Sequence, residues 1–292
     1  MRKSIFLAGF SLLFAASCSN EFNNEVVNNN TLVPVYVHVN DFAVTQEEFP
    51  DTRATEDVAD YNDVNAVTLA FYKADGTEAY KTTQTKNEAD FGEFSLSLPM
   101  GSYTMVALAY YTNENSVLTL TSPTEASFNV RARETFAYTQ TVTISNTNAV
   151  DISATLNRVV SMLTVKSTDG KTADVTNVRM TFSSGGKDFN PTTGLAITTT
   201  GLTNTVGNSA SVGNTSTSST MFFLNTDEQD IDVTIETLDA DGNTLFSKVV
   251  EDVPFQRNRV TKLTGAMYTN TGIAGSFLVD TDWLTSGDDI NF

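Results

Sequence analysis

The chain has 292 residues, 35 acidic and 17 basic, for a formal net charge of −18, about −20 once a leader carrying Arg2 and Lys3 is gone. Charge of that sign repels nucleic acid and lipid headgroups, so no nucleic acid is expected among its partners. The length exceeds what most single β-sandwiches need and suits two β domains.

The first segment is a leader. Arg2 and Lys3 precede an apolar run from Ile5 to Ala16, closing on Ala15-Ala16-Ser17-Cys18. A basic start, a short apolar run and small residues before the cut predict a secretory signal peptide over 1–17, too short to remain as a membrane span. A cysteine directly after the small residues is the bacterial lipobox. Cys18 is therefore expected to take a lipid, palmitate included, become the new N-terminus and hold the chain to the cell outer membrane. It is the only cysteine, so an internal disulfide is excluded. Ser19 lacks the aspartate of an inner-membrane retention signal. Ser19-Asn20-Glu21-Phe22-Asn23-Asn24-Glu25 resembles the acidic tether by which Bacteroidetes lipoproteins reach the cell surface.

Beyond the tether the pattern is all-β. Apolar residues alternate along Leu32–Val39, Val64–Tyr72, Phe94–Leu98, Tyr103–Tyr111, Phe136–Ile144, Met162–Lys166, Val175–Phe182, Ile231–Leu238 and Val260–Tyr268. Period-two apolarity predicts strands with one buried and one wet face. No segment holds a helical period, and many short strands with Gly and Asn turns predict Greek-key sandwiches. Asp-Gly at Asp75-Gly76, Asp169-Gly170 and Asp241-Gly242 predicts two-residue hairpins with positive φ at both central residues. The acids after Asp239 have the wrong spacing for a calcium loop. A boundary is expected near Asn146–Thr155. The parts are then a signal peptide at 1–17, a lipidated tether with a strand at 18–53, a first sandwich at 54–152 and a second at 153–292. Thr198–Thr220, nearly all Thr, Ser, Asn and Gly, predicts a long loop or weakly ordered edge.

Residues suited to catalysis are scarce. With a single histidine, His38, and a lipidated cysteine, neither a His-rich metal site nor a Cys–His pair can be assembled. His38 sits inside an alternating run and reads as a strand-face residue. Nothing in the sequence brings two carboxylates together for glycoside hydrolysis, and Trp283 is the one tryptophan available to stack on sugar. No enzyme activity, metal or cofactor is expected.

Three motifs carry a family resemblance. Leu98-Pro99-Met100-Gly101-Ser102-Tyr103-Thr104-Met105-Val106-Ala107 is similar to the LPxGxYTxVA strand of Bacteroidetes fimbrillins. Leu156-Asn157-Arg158-Val159-Val160 resembles the LxRxV opening of their second domain. Val253-Pro254-Phe255-Gln256-Arg257-Asn258-Arg259-Val260-Thr261-Lys262-Leu263-Thr264-Gly265 resembles their VPxxRNxxTxLxG segment. With the lipobox, the parts stand in the family's order over most of the chain. The resemblance implies a lipoprotein precursor of type V fimbriae built of two tandem transthyretin-like sandwiches. Its partners would be other fimbrial subunits, joined by β-strand addition.

The resemblance also implies maturation by an arginine-specific protease, for which Arg53-Ala54 is the matching bond. Arg53 is the only Arg or Lys between Lys3 and Lys73. Cleavage there would remove the strand at Leu32–Val39, and the C-terminal segment Ile273–Leu284, with Phe277, Val279 and Trp283 on one face, is the candidate donor. That segment also reads as the last strand of its own domain. Arg53 favours a polymerising stalk subunit, whereas the length is closer to an anchor subunit that keeps its lipid. A glycan-binding surface lipoprotein is the alternative from another class; it would need exposed aromatic platforms, but the tyrosines fall in runs suited to core packing.

Overall fold

The computed structural model describes residues 31–44, 54–57, 61–269 and 278–280, with side chains over 31–39 and 61–269. These residues form strands and turns and no helix, so the chain is all-β. The first strands are β1 (Leu32–Val44), β2 (Ala54–Asp57), β3 (Ala66–Lys73), β4 (Glu78–Thr85), β5 (Glu93–Pro99), β6 (Gly101–Tyr110) and β7 (Leu118–Ser122). They are followed by β8 (Glu125–Phe128), β9 (Thr135–Ile144), β10 (Val150–Arg158), β11 (Ser161–Ser167), β12 (Asn177–Phe182), β13 (Asp188–Asn190) and β14 (Leu195–Ala196). The chain continues through β15 (Leu202–Gly207), β16 (Thr217–Phe222), β17 (Glu228–Leu238), β18 (Thr244–Gln256), β19 (Val260–Gly265) and β20 (Leu278–Asp280). All nine alternating runs lie on or over strands.

The first sheet has the order β2-β1-β10-β9-β6-β3-β4, with β5 also paired to β1. β10 meets β9 at only two residue pairs, Asn157–Ala137 and Arg158–Phe136. That corner lets the sheet fold over one core. Val33, Val35, Val37, Leu96, Leu98, Ile152 and Leu156 meet Val67, Leu69, Phe71, Met105, Ala107 and Val142 across it. β3 and β6 depart from the one-wet-face expectation, because their other faces are buried too. A small sheet of order β14-β13-β8-β7 covers them, placing Leu118, Leu120, Phe128 and Phe189 on Ala70, Tyr72, Val106 and Leu108. Two of its four strands come from the second half of the chain.

The second sandwich faces the sheet β16-β11-β19-β20 against β15-β12-β17-β18. Leu163, Val165, Phe222 and Leu263 pack on Val178, Met180, Phe182, Ile235 and Phe255. The rings of Phe182 and Phe222 lie 4.3 Å apart, with Phe255 edge-on at 5.1 Å from Phe222, a geometry that adds to the area buried. The polar stretch Thr198–Thr220 is not one loop. It contains β15 and begins β16, both at sheet edges, where Thr and Ser suit strands and each needs only one buried face. β10 continues through residue 153 to Arg158, so the chain changes sheets at Val159–Val160.

The Asp-Gly sites differ from expectation. At Asp75-Gly76 and Asp241-Gly242 only the glycines take positive φ, 82° and 85°. Both are hairpin loops in which glycine closes the turn onto Lys73 or Asp239. The Asp75 carboxylate accepts from the Thr77 amide, whereas in the other loop it is the Asp239 carboxylate that accepts, from the amides of Asp241 and Asn243. Asp169-Gly170 forms no hairpin. Its carboxylate accepts from the amides of Met267, Tyr268 and Thr269, each at 2.8 Å, fastening the chain just beyond β19.

Candidate functional site

β1 has the least ordinary position in the molecule. It lies inside the first sheet, parallel to β10 along one side. On its other side β5 pairs with Leu32–His38 and β2 with Asp41–Val44. Val33, Val35, Val37 and Val39 are all 0% exposed, while Leu32 and Tyr36 face outward. The alternation read from the sequence thus places four valines in the core. Burying a valine side chain contributes roughly 1.5 kcal/mol at the low end, about 6 kcal/mol for four before any backbone pairing. That is comparable to the whole stability of an ordinary domain, about 5–15 kcal/mol. A sandwich without β1 needs something in its place.

His38 sits on the outer face of this strand, hydrogen-bonded through Nδ1 to Glu93 on β5 and through Nε2 to Asp151 on β10 at 3.0 Å. The bond to Glu93, helped by the two carboxylate charges against a modest burial cost, holds its pKa above the ordinary histidine value. His38 is therefore a clasp linking β1 to both neighbours. The sequence showed the histidine on a strand face but gave no sign of its partners, which lie far along the chain.

The fimbrillin-like motifs turn out to be structural joints. The Tyr103 ring stands within 3.4 Å of where a Cβ on Gly101 would be, and its hydroxyl donates to the Pro99 carbonyl at 2.8 Å. The ring lies at contact distance over the glycine, and the bond pins the β5–β6 corner. The other two motifs meet in space: Arg158 donates to Asn258 Oδ1 at 3.2 Å and the Asn258 amide to the Val160 carbonyl at 3.0 Å. Asn258 holds φ at 61°, a conformation asparagine tolerates better than most residues. Arg158 also donates to Glu134 at 2.5 Å and to the Tyr61 hydroxyl at 2.6 Å, with its guanidinium 4.9 Å from the Phe136 ring centroid. Both ions are buried. Burial pushes the Glu134 carboxyl upward, against the pull of Arg158.

Ala54, on the expected cleavage bond, opens β2, where it pairs with Val44 at the end of β1. Val279 lies on β20, whose backbone pairs antiparallel with β19 through Lys262–Asp280, Leu263–Val279 and Thr264–Leu278. Cys18, Arg53, Phe277 and Trp283 lie outside the described residues, as does the leader. Among the described residues no group of three or more His, Cys, Asp or Glu side chains could hold a metal ion.

A family model described as "Family of unknown function (DUF6562)" matches residues 30–288. The chain belongs to DUF6562. No curated protein matches it. Among solved structures, an adhesin candidate from Bacteroides ovatus is similar at 14% identity and a TM-score of 0.55, covering 90% of this chain and 98% of that one. The fimbrial anchor protein Mfa2 from Porphyromonas gingivalis is similar at 10% identity and a TM-score of 0.53, covering 87% and 98%. An adhesin candidate from Bacteroides thetaiotaomicron follows at 11% and 0.52, covering 87% and 97%. At such identities the likeness is one of fold, and it extends over most of both chains.

Proposed function

We propose that this protein is a structural, adhesive subunit of a cell-surface fimbria, exported as an outer-membrane lipoprotein through Cys18 and assembled by strand exchange. The observation that carries the proposal is the position of β1. It is an interior strand with four fully buried valines, yet it precedes the Arg53-Ala54 bond in the chain and so becomes a separate peptide once that bond is cut. Its departure would leave an open core and the free edges of β5 and β10, which a sheet does not leave bare. An extended segment from a neighbouring subunit fits such a groove through main-chain hydrogen bonds, with alternate side chains taking the valine positions. The fimbrillin-like motifs support the family reading, as does a fold shared with a fimbrial anchor protein and with adhesin candidates.

In this proposal the donor is the C-terminal segment with Phe277, Val279 and Trp283. Its described part, β20, pairs along one side only, through three residue pairs at the edge of its sheet. Treating the purified protein with an arginine-specific protease should give a fragment beginning at Ala54 and, with time, fibres visible by electron microscopy. A chain lacking Gly272–Phe292 should be cut but stay monomeric. Cut protein that sheds β1 and remains monomeric would rule out strand exchange. Fibres of normal length from the shortened chain would remove the C-terminal segment from the mechanism. The mature N-terminus on cells separates the two roles: free Ala54 marks a polymerising subunit, acylated Cys18 an anchor.

A further inference from the structure

The junction between the two sandwiches carries a feature that strand exchange does not use. Arg131 and Arg133 flank Ala132, which is 2% exposed and bridges to Met221 of β16. In an extended segment residues two apart share a side, so burying Ala132 sends both arginines to the other side. There they line a cleft of about 540 Å³ together with Tyr111, Asn113 and the hydroxyl-bearing residues of β16.

Both arginines lack a counter-ion. In a chain with 35 acidic residues, neither forms an ion pair among the described residues. Arg133 Nε is buried with no hydrogen-bond partner there, and so is Ser218 Oγ, on a residue only 4% exposed. The contact seen for the Arg133 guanidinium is the Tyr111 ring, 5.7 Å from its centroid. Burial, and for Arg133 also the charge of Arg131, works against the positive charge of each. Two carboxylates line the cleft; Glu134 is committed to Arg158, which leaves Asp63. Half-buried charges without partners are costly, and an anion seated between the guanidiniums would supply charge-assisted hydrogen bonds to both.

The cleft is far larger than one small anion and falls in the size range of small-ligand sites, about 300–1,000 Å³. Its remaining lining is rich in short hydroxyl side chains, and the Asn113 side-chain oxygen is already taken by the Asn115 amide, which leaves its NH₂ to donate. We propose that this cleft binds an acidic saccharide. Its carboxylate lies between Arg131 and Arg133, and its ring hydroxyls meet Ser218 and Asn113. None of these residues is on β1 or β20, so the site operates whether or not strands are exchanged.

Calorimetric titration of the purified protein at low ionic strength tests this with three probes: sodium digalacturonate, glucose and sodium sulfate. Digalacturonate should bind saturably at one site per chain, glucose should give no heat of binding, and sulfate should bind about tenfold more weakly or less, having lost the hydroxyl contacts. Arg131→Gln and Arg133→Gln should each weaken digalacturonate about tenfold, while Lys73→Gln, an exposed charge outside the cleft, should leave binding unchanged. Melting curves check that each variant folds; should Arg133→Gln fail to, Arg131→Gln and Ser218→Ala carry the test through weakened binding with an unchanged melting temperature. Absence of saturable digalacturonate binding, or full affinity in Arg131→Gln, would overturn the proposal. Sulfate binding as tightly as digalacturonate would overturn its saccharide part.

Discussion

β1 and β20 stand at opposite ends of the described chain, and the sheet holds them very differently. β1 runs thirteen residues with neighbours on both sides; β20 runs three with a neighbour on one. The fastenings near them differ in sign as well. His38 clasps β1 as a proton-gaining base between two carboxylates, whereas Asp169 fastens the chain leading from β19 as a carboxylate under three amides. The difference teaches which strand can be given up. The described hold on β20 is three residue pairs along one edge, whereas a strand with four buried valines can leave only if its space is refilled.

The largest expected effect lies in β1. Val37→Asp puts a carboxylate at a position with no exposure, and a charge buried without a partner should cost about 4 kcal/mol or more. The variant should be unfolded, or melt far below the wild type by calorimetry. Deleting Gly272–Phe292 makes the opposite case, since the described loss is three residue pairs at a sheet edge. It should cost about 1–2 kcal/mol, lowering the melting temperature by several degrees at most. If the deletion destabilised the protein as much as Val37→Asp, β20 would be integral to its sandwich and the contrast would collapse.

Asp169→Asn comes next. It keeps the shape of the side chain but removes the charge that three amides point at, with an expected cost of about 1–2 kcal/mol at neutral pH. Burial works to raise the Asp169 pKa, but the amides of Met267 and Tyr268 and the contacts from Thr269 outweigh it and hold the carboxyl below the usual range. A depressed folded-state pKa means that the stabilisation is complete above the unfolded value and is lost as pH falls through the folded one. The gap in stability between wild type and Asp169→Asn, followed by urea unfolding at several pH values, should therefore close below about pH 4. A gap that stayed constant into acid would mean that the charge of Asp169 contributes nothing.

Most of the fold was legible because alternation is a local signal. Nine runs gave nine strands, and the Val33–Val39 register followed directly from spacing. β10 alternates as clearly, from Val150 to Arg158, yet its place beside the expected boundary concealed it. β18 was hidden for a different reason: Leu245 and Val249 on this edge strand are exposed, so its apolar residues do not mark a buried face. What could not be read was anything set by distant partners. The clasp of His38, the joint of Arg158 with Asn258 a hundred residues on, and the lack of an ion pair for Arg131 and Arg133 among the described residues all depend on which strands become neighbours. Asp169 shows the same limit, since an Asp-Gly pair that looks like a hairpin serves instead as an anchor for a segment nearly a hundred residues away.

The smallest effect is also the most specific to β1. The His38 pKa is raised in the folded protein, first by the hydrogen bond to Glu93. A raised folded-state pKa gives stability that is complete below the unfolded value, near 6.5, and is lost as pH rises through the folded one. The clasp on β1 should therefore be tight in mild acid and looser in mild alkali, opposite in sense to the Asp169 fastening. Hydrogen exchange of the Val35 and Val37 amides, corrected for the intrinsic rate at each pH, should show more protection at pH 5.5 than at pH 8.5. His38→Gln should remove that difference while leaving the melting temperature near the wild-type value, because the side chain is partly exposed and its charge is screened by solvent. Equal pH dependence in both proteins would show that the valines alone hold the strand. A loss confined to His38→Gln would show that protonation of this one side chain sets how tightly β1 is held between β5 and β10.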